Sequence, residues 1–339
     1  MNTTFDNEMH FLDELDLEDD LPSGRLPRLK GLGPQGKPKK KQPAATPAMI
    51  ANQHDDLRSY AFSYRAGRHE EGWLLDSLGP FYDEQWFEDV LRQVKGGKEA
   101  SVYLCRGAAA SEHALLAAKV YRPRALRNLR KDHLYREGRS RLDSDGIEIV
   151  DERMARAMQK RSEFGKKLMH TSWIEHEYRT LRKLHAAGCD VPQPYASAHN
   201  AILMDFIGDE RTAAPTLHGN RLSKAQAGRL FEQLLHNLDR MLAVQRVHAD
   251  LSAFNILYWQ GELVLIDFPQ AINPLRNPNA YLIFQRDLQR ACEYFQDQGL
   301  QLNPTAIARD LWLRYGYSTD PHVLPASTSD ESEADETEA

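Results

Sequence analysis

The sequence predicts an α+β chain, a strand-rich amino-terminal segment followed by a helix-rich one. Three observations predict it. Two short apolar stretches, 101–104 and 115–120, flank a loop of small residues as the arms of a hairpin would. Two long runs, starting near Ser172 and Lys224, repeat their apolar residues at the helical period. A second compact hairpin, 256–267, then follows the later of these helices.

Residues 1–50 divide into an acidic block, Asp13–Asp20, and a basic one, Arg25–Lys41, rich in Gly and Pro. So few apolar residues cannot offset the entropy of ordering, and a disordered charged tail is predicted. An amino-terminal helical extension is expected over 51–92, because in SLGPFYDEQWFEDVLRQV the apolar residues keep helical spacing up to the Gly96-Gly97 break. The strand-rich lobe, 93–207, holds the first hairpin and, at 122–141, a segment with eight Lys or Arg that reads as a flexible basic loop. In the helix that follows, Ser172 and Glu175 form a capping-box pair, with Ile174, Tyr178, Leu181 and Leu184 on one face until Gly188. The strand AILMDFIG leads into the helical lobe, 208–324. There Ser223 and Gln226 cap a helix from about Lys224 with Leu230, Leu234, Leu238, Met241 and Leu242 on its stripe, and a hairpin turns at Gln260-Gly261. Residues 325–339 read as a disordered acidic tail.

Composition narrows the function. At 339 residues and 41% apolar, the chain can bury a large core. Its formal charge of -6 is matched by the six acids of the last ten residues, so the body is near neutral and gives no whole-chain argument for nucleic acid. Cys105, Cys189 and Cys292 show neither a CxxC nor a paired pattern, which fits a reducing compartment. The amino terminus lacks the order of a secretory signal, and no apolar run is long enough to cross a bilayer. A soluble cytoplasmic protein without membrane association is expected.

The strongest chemical signal is HADLSAFNIL at 248–257, with the apolar run LVLIDF ending on Asp267. An aspartate at the head of a short loop, Asp250, can orient or accept the proton of an attacking hydroxyl. An amide five residues on, Asn255, and a carboxylate at the next strand's end, Asp267, can converge on one divalent cation. His248 is expected to be structural. Upstream, in VKGGKEASVYLC, glycines and small residues directly precede a strand around Gly97, Lys98, Glu99 and Ala100, where backbone N–H groups could approach phosphate, although an ordinary turn fits equally well. Lys119 ends the apolar strand ALLAAK, and Glu177 on the later helix is its candidate partner, with Glu175 a neighbouring competitor.

Together GGKEASVY, AAKVY, WIEHEY, ILMDFIG, HADLSAFNIL and IDFPQA resemble the RIO family of atypical serine protein kinases, in family order over about residues 90–295. The resemblance implies a bilobal protein-kinase-like fold that uses ATP with Mg2+ or Mn2+. It makes Asp250 the catalytic aspartate, has Lys119 contact the phosphates and Glu177 position Lys119, and gives the metal to Asn255 and Asp267. It also puts Met204 at the back of the adenine pocket, Asp205 and Ile207 as its backbone partners, and Ser101 in the phosphate loop. Protein serine or threonine, the chain itself included, is the implied acceptor, and ribosomal RNA or a ribosomal particle an implied partner. The basic loop matches in position the family's flexible loop.

Departures from ordinary protein kinases are consistent with that family. Ala249 replaces the arginine that would precede Asp250, and Asp267 is followed by Phe-Pro. Only about fifty residues separate this point from the acidic tail, too few for a peptide-docking subdomain. Three other readings compete with the protein kinase: an ATPase switch acting on a ribonucleoprotein, a small-molecule kinase of aminoglycoside or choline type, and a nucleotide-binding scaffold without turnover.

Overall fold

The structure, a computed structural model, describes residues 62–97, 99–109, 111–122, 163–198 and 200–320. The two charged tails and nearly all of the basic loop expected at 122–141 lie outside these residues, as does Lys98.

Helix α1, Arg68–Asp83, buries Leu74, Leu78 and Phe81. It does not continue through Val94 as its apolar spacing predicts. The Trp86 amide donates to the Phe81 carbonyl and the Gln85 amide to that of Tyr82, each at 3.0 Å, with Gln85 left-handed at φ 61°. This is a glycine-free helix stop of the paired 6→1, 5→2 kind. The residues expected to extend the helix instead form strand β1, Phe87–Gly96, which crosses the boundary expected at 92. Three irregularities in its pairing with the next strand explain the misleading period. Each shifts the register by a residue, so the buried Phe87 and Val90 fall three apart, as on a helix.

Strands β2, Ala100–Gly107, and β3, Leu115–Tyr121, form the expected antiparallel hairpin. With β4, Pro194–Ala198, and β5, Ala201–Asp205, they complete a five-stranded antiparallel sheet of order β1-β2-β3-β5-β4. Side chains alternate across its faces. One face carries Lys119 and Tyr121, and helix α2, Glu163–Ala186, reaches both through Glu177. The other carries Tyr103, whose hydroxyl donates to Glu70 of α1. The sheet is thus covered by α1 on one side and faces α2 on the other.

Helix α2 begins at least nine residues before the capping box expected at Ser172 and Glu175. Both are mid-helix and buried, and Glu175 accepts from Arg179 and Ser197, each at 3.2 Å. A Ser-x-x-Glu pair inside a helix carries the same letters as a cap, and here the polar groups serve packing against β4.

The second lobe opens with a 3-10 turn, Leu217–Gly219, and helix α3, Lys224–Ala243, whose start at Ser223 and Gln226 is the predicted reciprocal cap. Strands β6, Ile256–Trp259, and β7, Glu262–Leu265, form the second hairpin. Its turn, Gln260-Gly261, has both residues at positive φ, 50° and 92°, the geometry that suits strand twist in a two-residue turn. Helices α4, Ala280–Asp297, and α5, Pro304–Arg314, close the core around Phe231, Phe295 and Trp312. This is the two-lobed α+β architecture that the sequence predicts. Among the described residues no helix is long and apolar enough to cross a membrane.

Candidate active site

Strand β3 brings Lys119 to the point where the lobes meet. Its Nζ lies 2.5 Å from Glu177 Oε1 on α2 and 2.6 Å from Asp267 Oδ1, at the end of the β6–β7 hairpin. Glu177 rather than Glu175 is therefore the lysine's partner. Glu177 is 1% exposed and also accepts the Tyr121 hydroxyl, so both carboxylate oxygens are used. The neighbouring His176 holds α2 in place, its Nε2 2.8 Å from the Ala271 carbonyl beyond Asp267.

One ammonium shared by two carboxylates sets the electrostatics. Burial pulls the Lys119 pKa down, but Asp267 and Glu177 outweigh it and hold the net value above normal. Burial dominates at Glu177, and with the Asp267 charge it overcomes the pull of Lys119 and raises the pKa. At Asp267 burial also acts upward, yet Lys119 prevails and the value is lowered. Asp267 keeps 43% of its side chain open to solvent, so it is the better hydrated of the two and retains its charge more readily.

The HADLSAFN segment forms the loop that the sequence suggests. Asn255 Nδ2 donates to the Asp250 carbonyl at 2.8 Å and to its Oδ2 at 3.1 Å, which commits the amide nitrogen and turns Oδ1 of Asn255 into the group available to a cation. His248 is buried, its Nε2 3.1 Å from the Ile266 carbonyl and its ring against Phe268, and burial lowers its pKa. It ties the loop to the strand end that carries Asp267, the structural role expected of it. Asp250 has a pKa raised to about 7, first by burial, then by the charges of Asp287 and Asp267, against Arg286 and Arg290.

Those last residues belong to α4 and were not singled out from sequence. Arg286, 3% exposed, donates from Nη2 to the Ala249 carbonyl at 2.8 Å and pairs with Asp287 at 3.1 Å. It thereby holds the loop at Ala249, whose φ is 67°. The signal was present: Asp287 falls in step with the buried Ala280, Phe284 and Ala291 of the helix. Asp267, at φ 73°, is a second left-handed residue in the site.

The other predicted residues that the structure describes lie on the turns and strands of the sheet lobe. Gly97 sits in the β1–β2 turn, where its amide donates to the Ala100 carbonyl at 2.9 Å and an added Cβ would stand 2.9 Å from that oxygen. The Glu99 carbonyl accepts from the Arg122 amide at 2.8 Å. Ser101 is 1% exposed, and its hydroxyl lies on the Tyr103 face, away from Lys119. Any contact of Ser101 with a ligand in the cleft therefore falls to its backbone. Met204 is buried on β5 opposite Ala117, on the Lys119 face. Asp205 donates its amide to Gln193 and accepts the Tyr195 hydroxyl, and the Ile207 carbonyl accepts from Ala214.

Among the described residues, no group of three or more His, Cys, Asp or Glu forms a protein-only metal cage. Asn255 Oδ1 and the Asp267 carboxylate suit instead a hard cation completed by ligand oxygens and water.

Comparison with known proteins adds to this geometry. The RIO domain family matches residues 133–307. The chain is similar to a RIO-type serine/threonine-protein kinase Rio1 of Haloferax volcanii, 29% identical over 61% of this chain and 63% of that protein. It is also similar to the serine/threonine-protein kinases RIO1 of Chaetomium thermophilum, 30% identical over 62% of this chain and 40% of that one, and of Homo sapiens, 31% identical over 46% and 26%. The alignments thus span less than two thirds of the length of these relatives.

Proposed function

The chain belongs to the RIO family, and from that premise we propose that it transfers the γ-phosphate of ATP to protein serine or threonine, itself included, with Asp250 as the catalytic aspartate. The observation that carries this reading is the pairing of Lys119 with both Glu177 and Asp267 beside the Asp250–Asn255 loop.

In this reading Lys119 holds phosphate oxygens and Glu177 keeps it in place. The adenine lies against Ala117 and Met204, and is met by the Asp205 carbonyl and Ile207 amide. The turn from Gly97 to Ser101, Lys98 included, covers the phosphates. A divalent cation, Mg2+ or Mn2+, held by Asn255 and Asp267 would neutralise phosphate charge. Asp250 orients the acceptor hydroxyl and takes its proton as the oxygen bonds to the γ-phosphorus. The bond from that phosphorus to the bridging oxygen breaks, and ADP leaves.

The test is transfer from γ-labelled ATP with either metal, following labelled protein and free phosphate together for the wild type, Asp250→Asn and Asp267→Asn. Serine or threonine labelling lost in both variants supports the kinase. Free phosphate alone would replace it with an ATPase, and nucleotide binding with neither product would replace it with a scaffold.

A further inference from the structure

The catalytic loop supplies no lysine or arginine between Asp250 and Asn255, yet charge accumulates where a phosphoryl group passes to its acceptor. The structure brings a cation there from α4. Arg290 Nη1 lies 3.9 Å from Asp250 Oδ1, with 25% of its side chain exposed and 46% of that of Asp250. The two oxygens of Asp250 are thus divided: Oδ2 is taken by the Asn255 amide, and Oδ1 faces Arg290. An acceptor hydroxyl bound to Oδ1 would stand beside the guanidinium. Arg286 and Arg290 lie four residues apart on one face of the helix. The first is sealed under Ala249, whereas the second reaches the solvent edge of the same loop.

The geometry points to Arg290 as a further catalytic residue, which donates to the phosphoryl oxygens on the acceptor side as the γ-phosphoryl group leaves ADP for the hydroxyl held by Asp250. This rests on the kinase reading above. A planar guanidinium offers parallel donors that match phosphoryl oxygens, which an ammonium does not. At 3.9 Å the contact with Asp250 Oδ1 is longer than a hydrogen bond, so a turn of the guanidinium toward the moving group breaks no hydrogen bond to that oxygen.

The test pairs binding with transfer. Affinities for ADP alone and for ADP with aluminium fluoride, a planar stand-in for the transferred group, would be measured with Mg2+ for the wild type, Arg290→Gln, Arg290→Lys and Arg290→Ala. Loss of about tenfold or more for the aluminium fluoride complex in Arg290→Gln, with ADP affinity unchanged, is the expected result. Transfer should fall in parallel, recover in part in Arg290→Lys, and recover in Arg290→Ala on adding millimolar guanidinium. Equal aluminium fluoride affinity in the wild type and Arg290→Gln would overturn the assignment even if transfer fell. Failure of the wild type to bind ADP would overturn the kinase reading and this one with it. Wild-type binding of the complex without transfer to protein would reject only the acceptor class.

Discussion

Lys119 Nζ lies 2.6 Å from Asp267 Oδ1, so the residue proposed to hold phosphate and the one proposed to hold the metal are bound to each other across the lobes. In the proposed reading a divalent cation held by Asp267 would compete with Lys119 for that carboxylate and would leave the ammonium to phosphate oxygens.

The first prediction concerns the buried partner. Lys119→Met leaves Glu177 enclosed without its cation and is expected to cost about 3 kcal/mol, measured by urea unfolding. Adding Glu177→Gln should recover more than half of that loss, because the stranded charge is gone. No recovery would mean that Glu177 is already neutral in the folded chain.

Asp250→Asn keeps the shape of the loop and removes the proton acceptor. Transfer should drop by about a hundredfold or more with nucleotide affinity unchanged, compared by single-turnover labelling and equilibrium binding. An equal loss of binding would indicate a collapsed loop rather than lost chemistry.

The raised pKa of Asp250 sets the sign of a pH effect. Only the ionised carboxylate accepts a proton, so transfer should rise with pH through about 7 and fall below it. Asp287→Asn removes the largest charge acting upward on Asp250, and the rising limb should then move to lower pH. A limb that stays in place would locate the titration elsewhere.

Tyr103→Phe tests the covered face of the sheet. It deletes the hydroxyl donated to Glu70 and should lower stability by about 1 kcal/mol while nucleotide affinity holds, since Lys119 faces the other way. Weaker nucleotide binding would show that α1 acts on the cleft through the sheet.

The centre of the site was legible because its residues sit at fixed offsets: Asp250 to Asn255 within one loop, and Asp267 at the end of the next hairpin. Lys119 was legible as the one charge in an otherwise apolar strand. The period-based readings failed where physics produces the same pattern by another route. The bulged β1 copies a helical spacing, and the Ser172 pair inside α2 copies a cap. Arg286, Asp287 and Arg290 were missed because charged residues on an amphipathic helix ordinarily face water. The burial of Arg286 and Asp287, and the approach of Arg290 to Asp250, depend on a loop that only the tertiary structure brings against the helix.

The reactive loop and the helix that supports it come from one stretch, His248 to Arg290, whereas the Lys119–Asp267 contact spans 148 residues. In folding terms the Asp250–Asn255 loop and its supports close short loops and can assemble early, while the lysine contact is expected to wait for the sheet lobe to dock. That one contact is then expected to form late, and a chain stalled before it would carry the loop without the lysine beside it.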